Sequence, residues 1–324
     1  MQEVGALAST FPSFIRGRQH LKFRGLTPIL FDGARPAERS DLLETKGERD
    51  DVAFRAIPPR FFDKLETRYF GERRNLMASE PLLAAAPYLT EQKYQDYTPR
   101  QHAVWAELVH RRRPQVDEYA CKEYLEGYEI IGLQDDRLPD LGAISDRIRP
   151  RTGWSATPVS GFLPGEAFFE MLAARKFPTT TWLRSQDSLE YIPEPDIFHD
   201  VFGHVPMHAH RVFADFLQHY GSICAQAMDA DILERLGRLF WYTVEFGLIR
   251  QNGKIKVYGS GVISSHRECT NVIEVGCAIR EFNLDEVLAT KVKVDEIQKR
   301  LFAIESFDQI YEAVQEAEKR LLRV

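Results

Sequence analysis

The sequence predicts an α+β fold, predominantly helical, with small β-hairpin elements, behind an arm of weak pattern. Three observations predict it. From Thr98 onward, apolar residues recur at threes and fours over several capped segments. Between them only short apolar runs, bounded by Gly, Asn or Pro, read as strands. Residues 25–59, by contrast, interleave Pro, Gly and charge with no sustained period of 2 or 3.6. The chain therefore divides into a partly ordered arm over residues 1–95 and one mostly helical body over residues 96–324.

Taken in order, residues 60–69 suit a short helix, and the Ala- and Leu-rich stretch 82–88 suits another or a segment docked on the body. Thr98 caps a helix with Pro99 in its first turn, and Pro114 is expected to end it. A second helix covers about 116–133. The stretch from Ala156 reads as a short strand, a Gly-Pro turn and a helix over 166–176. Residues 210–227 are helical, with Phe213, Phe216, Leu217 and Tyr220 on one face. Residues 231–246 form another helix, striped by Ile232, Leu236, Leu239, Phe240 and Val244. Asn252-Gly253 opens the second arm of a hairpin over 254–263. Phe307, Ile310, Val314, Ala317 and Leu321 line a C-terminal amphipathic helix of about two heptads, too short for a coiled coil.

Composition excludes several classes. In 324 residues, 44% are apolar, and 21 Phe and 12 Tyr offer far more burial than a disordered chain carries. The formal net charge of -6 lacks the basic excess that nucleic-acid binding needs. The one basic cluster, His110-Arg111-Arg112-Arg113, reads as a solvated helix end. Four scattered cysteines form no C-x-x-C pair, which points away from a disulfide scaffold or zinc ribbon. The N-terminus lacks the basic start of a signal peptide, and no stretch approaches the ~20 apolar residues of a membrane span. A soluble, cytoplasmic protein is expected, with no membrane and no nucleic-acid partner.

Chemistry concentrates between Tyr191 and Pro206, where His199 and His204 lie five residues apart. On a straight α-helix that spacing sets them about 140° apart, so they do not share a face. Gly203 and Pro206 suggest that the helix ends there and lets His204 swing back. The third element is Glu245, the only ionisable carboxylate of Phe240–Ile249, set among aromatics. Burying it there is costly unless it meets a cation or metal. Two readings stand at this point: Glu245 on the wet face of a half-buried helix or paired with a distant Arg, or a facial triad of two imidazoles and one carboxylate with open positions, as in non-haem iron(II) oxygenases. His208 and His210 read as additional exposed histidines.

The stretches PEPDIFHDVFGHVP, FWYTVEFG and VYGSGVISS resemble, in order and spacing, the three signature stretches of the pterin-dependent aromatic amino acid hydroxylases. The likeness runs from about Tyr97 to Asp308 and is strongest to bacterial members. Nothing in the arm resembles the regulatory domain of the animal enzymes.

The resemblance implies that His199, His204 and Glu245 bind Fe(2+), and that Arg184 holds the substrate's α-carboxylate with its planar fork. It implies that Tyr191, Pro195, Trp241 and Ser264 line the amino acid pocket. By the same token Gly161, Phe162 and Leu163 form the pterin loop, Phe168 stacks on the pterin, and Asp200 contacts it through water. The cofactors implied are iron(II) and tetrahydrobiopterin or a related tetrahydropterin, with O2 as co-substrate. The activity implied is hydroxylation of L-phenylalanine to L-tyrosine, since the mapped pocket supplies apolar faces and no partner for a ring hydroxyl. Alternatives are tryptophan hydroxylation by the same chemistry, a zinc hydrolase on the same triad, and a catalytically dead protein on this fold. The presence of all three ligands and Arg184 argues against the last. Phe240 departs from the tyrosine usual in the family. With every mapped residue beyond Ser160, residues 1–90 are expected to be dispensable for catalysis.

Overall fold

The structure is a computed structural model that describes residues 82–190, 192, 194–293 and 296–322. The expected helix at 60–69 and the first 81 residues of the arm lie outside it, as does Tyr191.

The first helix, α1 (Pro99–Tyr119), opens with a capping box between Thr98 and Gln101, with Pro99 in its first turn, as expected. It does not stop at Pro114. The proline removes one N–H opposite exposed His110, while Arg112 and Val116 on either side are buried and hold the helix in line. The chain breaks at Ala120, whose neighbour Cys121 donates its N–H to Val257 O at 2.9 Å. The second helix is therefore shorter than expected, α2 (Lys122–Ile131), and ends on left-handed Gly132. The sequence reading missed α3 (Leu141–Thr152), a polar helix with Pro150 inside and Asp140 as its cap.

Strand β1 (Ser155–Val159) pairs in parallel with β2 (Lys176–Thr180), and α4 (Gly165–Ala173) makes the crossover. The expected helix over 166–176 thus ends three residues early, and its last residue begins an unpredicted strand. Pro178 is tolerated there because the sheet has only two strands. Residues 82–90 dock on this unit. Leu89 bridges to Val159, and Glu170 of α4 accepts the N–H groups of Leu83 at 2.9 Å and Ala85 at 2.8 Å. Ala85, Val159, Leu163, Ala167 and Met171 form a small core of their own beneath it.

Helices α5 (Arg211–Gln226) and α6 (Ala230–Phe240) carry the expected apolar stripes into the main core. Then β3 (Leu248–Gln251) and β4 (Lys254–Val257) form the expected hairpin. Asn252 at φ 52° and Gly253 at φ 74° supply the two positive φ angles of a type I′ turn. The second arm ends at Val257, because residues 260–264 coil into α7 (Ser260–Ser264), followed by α8 (His266–Thr270).

The hairpin is half of a four-stranded sheet, order β4-β3-β6-β5, completed by β5 (Ala278–Glu281) and β6 (Arg300–Ile304), with α9 (Leu284–Ala289) between them. The C-terminal α10 (Phe307–Leu321) buries Phe307, Ile310, Val314 and Ala317, its expected inner face. Among the described residues no helix is long and apolar enough to cross a membrane.

Candidate metal centre and cofactor cleft

Two widened helical turns bring the three expected ligands together. His199 and His204 both lie in a π-helical turn, Phe198–His204. A π-turn adds a residue per turn, so residues five apart come close to one face, which a straight α-helix forbids. The structure therefore corrects the expected helix end: the turn is widened rather than terminated. Phe202 O takes the Tyr124 hydroxyl hydrogen at 2.6 Å, and Phe198 stacks on Phe202 at 4.7 Å.

Glu245 closes a second π-turn, Trp241–Glu245, where α6 was expected to run straight to Phe246. Thr243 bonds back to Leu239 O at 2.6 Å, and Phe246 N–H reaches five residues back to Trp241 O at 2.8 Å. Gly259 lets α7 begin against the backbone of Glu245 itself. A Cβ at this position would lie 2.5 Å from Glu245 O, so only glycine fits.

The side chains converge. His204 Nε2 lies 3.1 Å from Glu245 Oε1 and 3.2 Å from His199 Nε2, and His199 Nε2 lies 3.7 Å from Glu245 Oε2. All three are at least half-buried, and among the described residues no other group of His, Cys, Asp or Glu gathers in this way. Burial pushes His199 down to about 4, outweighing Glu245, so its imidazole is neutral at pH 7. Burial alone would raise Glu245, but His204, His199 and the bond from Ser260 prevail and hold it at about 2. Two imidazole nitrogens and an ionised carboxylate are the donor set a divalent metal requires.

The ligands are themselves held. Ser260 Oγ donates to Glu245 Oε2 at 2.9 Å. Ser264 Oγ gives its single hydrogen to Ser260 O at 2.8 Å, so towards His199 Nδ1, at 3.0 Å, it accepts. That places the proton on Nδ1 and aims the Nε2 lone pair at the triad. Asp196, fully buried, accepts from His199 N–H at 3.1 Å and takes the Arg184 fork at 2.8 Å on each arm. The sequence reading missed Asp196 and Ser260. Both stand in the quoted motifs, and Ser260 precedes Ser264 by one helical turn, the signal that could have found it.

A cleft opens on the triad. Its wall gathers Gly161, Phe162, Leu163 and Phe168 from the β1–α4 crossover, Pro195, Asp200 and Trp241 from the two π-turn regions, and Phe177, Thr180 and Phe240. Phe168 meets Phe240 edge-on at 5.7 Å. Asp200 accepts from both the N–H and the hydroxyl of Thr180 at 2.8 Å, and burial pushes it up to about 7. Trp241 donates from its indole to Gln298 at 3.1 Å. Arg184 and Ser264 are not part of the cleft wall: Ser264 stands behind His199, and Arg184 behind Asp196. His208, expected to be exposed, is buried between Trp154 and Phe177, each 4.7 Å away. Its chain neighbours carry no sign of this, because the rings that cover it come from β2 and the end of α3. His210 is half-buried and caps α5.

Fold and site together give a candidate mononuclear metal centre, two histidines and one carboxylate, at the foot of an aromatic cleft. The chain belongs to the biopterin-dependent aromatic amino acid hydroxylase family, whose model matches residues 66–324. Phenylalanine-4-hydroxylase of Ralstonia nicotianae is 38% identical over 227 residues, 70% of this chain and 72% of the relative. Among solved structures, Chromobacterium violaceum phenylalanine hydroxylase with bound iron(III) and oxidised 7,8-dihydrobiopterin matches with a TM-score of 0.69 at 38% identity. That match covers 72% of this chain and 86% of the other. The same enzyme with iron and phenylalanine bound matches with a TM-score of 0.67 at 36% identity, over 73% and 88%.

Proposed function

We propose that this chain hydroxylates L-phenylalanine to L-tyrosine with O2, iron(II) and a tetrahydrobiopterin-type cofactor. The observation that carries this reading is the shared cleft: the triad, the crossover loop with Phe168, and the apolar faces of Pro195 and Trp241 all open on one space. The related enzyme's solved structures hold iron(III) with oxidised 7,8-dihydrobiopterin in one case, and iron with phenylalanine in another.

His199, His204 and Glu245 would hold the metal, and the donor set fits it: two imidazole nitrogens and an ionised carboxylate within 4.8 Å of one another. When bound, iron(II) and the reduced pterin together supply the activation of O2 that puts one oxygen atom into the ring. Gly161, Phe162 and Leu163 offer backbone to a flat heterocycle, Phe168 offers a ring face, and Asp200 an acceptor. Pro195 and Trp241 would sandwich the substrate ring, and the mostly apolar wall excludes water from the reacting centre. Arg184 would hold the α-carboxylate, with Tyr191 completing the pocket and Ser264 acting through His199. Among the described residues, no cleft-lining side chain apart from the triad and Asp200 is ionisable, which leaves little for a hydrolase to use as a base.

Residues 96–324 form the catalytic body in this reading, with residues 1–95 an arm whose last stretch docks on it. Four buried, unpaired cysteines suit the reducing cytoplasm. The deciding assay supplies the purified protein with iron(II), tetrahydrobiopterin and each aromatic amino acid in turn. Tyrosine from phenylalanine is expected as the fastest product; faster formation of 5-hydroxytryptophan, or no pterin-dependent product, overturns the reading.

A further inference from the structure

We propose that Arg112 is a positioning residue for the metal centre, acting through α7, the short helix that carries Ser260 and Ser264. The inference rests on the reading that the triad holds a metal. Arg112 belongs to the basic run of α1, yet it is 3% exposed and has no carboxylate partner among the described residues. Its guanidinium instead caps the end of α7. Nε donates to Ile263 O at 2.9 Å and Nη2 lies 3.5 Å from Val262 O, while Nη1 reaches Gln115 Oε1 and sits 3.5 Å from His266 Nδ1.

A five-residue helix cannot sustain itself, and its last carbonyls have no partner within the helix. A cation at that end supplies both the missing donors and the favourable charge for the helix dipole. An apolar side chain of similar size would fill the same space without the cost of desolvating a charge, so the carbonyls are what the guanidinium is there for. Both hydroxyls that orient the ligands ride on this helix: Ser260 on Glu245 and Ser264 on His199. A shift of α7 therefore releases the Glu245 carboxylate and the His199 tautomer at once.

The test uses the full chain and cobalt(II) as the probe. Affinity comes from chelator competition and geometry from the visible absorption spectrum, with circular dichroism and thermal melts establishing that each variant is folded. Arg112→Met is expected to weaken cobalt(II) binding roughly tenfold or more and to change the spectrum, as loss of a ligand's outer partner does. Ser264→Ala is expected to do likewise, and the double variant to lose no more than about the larger single loss, because Arg112 acts through that hydroxyl. A folded Arg112→Met protein with unchanged affinity and spectrum overturns the proposal, and so do fully additive losses. Should the Met variant fail to fold, Arg112→Lys carries the test: it keeps the charge but not the fork, and unchanged cobalt(II) affinity in it overturns the proposal. Failure of the unaltered protein to bind cobalt(II) or iron(II) sinks the metal reading itself.

Discussion

A guanidinium has five N–H groups, and at Arg184 the described structure uses three, two on Asp196 and one on Leu189 O. Two remain to meet a carboxylate, held in direction by a fully buried anion. Lysine in place of Arg184 keeps the charge and loses the fork, at a cost on the order of 1.5–3 kcal/mol. The expected result in Arg184→Lys is a raised phenylalanine KM, kcat/KM down by about ten- to a hundredfold, and a smaller change in pterin KM. Steady-state kinetics with an unchanged phenylalanine KM would show that the carboxylate is held elsewhere. Glu268 presents the opposite case, a buried carboxyl with no partner for Oε2 among the described residues, pushed by burial up to about 7. The folded protein binds a proton there that the unfolded chain, titrating near the ordinary 4.5, has already lost. Stability from this group is therefore full below about pH 4.5 and declines as pH rises towards 7. Glu268→Gln should gain about 2–3 kcal/mol on the parent between pH 5 and 8 in urea unfolding. Parallel pH profiles for the two proteins would refute the shifted titration.

At the level of elements, the docked segment divides the arm in two. Residues 82–90 lie against β1 and α4, whose crossover supplies Gly161–Leu163 and Phe168, and Glu170 ties them there by two backbone N–H groups. Hydrogen bonds to a charged acceptor contribute about 1.5–3 kcal/mol each, enough to set the pose of a nine-residue helix. The expectation that residues 1–90 are dispensable therefore narrows to residues 1–81: a chain starting at residue 82 should keep the parent's pterin KM, while one starting at residue 91, or Glu170→Ala, should raise it several-fold. Equal pterin KM in both truncations would mean that the segment only covers surface. The same elements show what the sequence made legible. Caps and apolar stripes announce themselves locally, so α1, α5, α6 and α10 were found, and Asn252-Gly253 declared its hairpin. What stayed hidden depends on distant partners. The two π-turns are set by Tyr124 and by packing against α7, and Arg112 looks solvated until Val262 and Ile263 arrive from 150 and 151 residues away. Strands β2, β5 and β6 are too short to show alternation, and their pairing partners are remote.

Across the whole molecule, the triad joins parts of the chain that are far apart in sequence. His199 and His204 come after the two-stranded unit, Glu245 ends the turn that continues α6, and the serines behind them lie just past the larger sheet's hairpin. The family motifs made these residues legible from sequence, but not the brace among them. A metal that binds all three side chains binds only the folded arrangement, so it must stabilise the whole body by mass action. At a free metal concentration a hundred times Kd, the gain is about 2.7 kcal/mol. For a domain of this size each kcal/mol moves Tm by roughly 2–4 °C, so iron(II) or cobalt(II) should raise Tm by about 5–11 °C. Excess chelator should reverse the rise, and Glu245→Ala, which lacks one ligand, should show almost none of it. Because the shift depends on binding the native state and not on turnover, it is measurable without pterin or substrate. A melt that responds to metal equally in the parent and in Glu245→Ala would place the metal somewhere other than this triad.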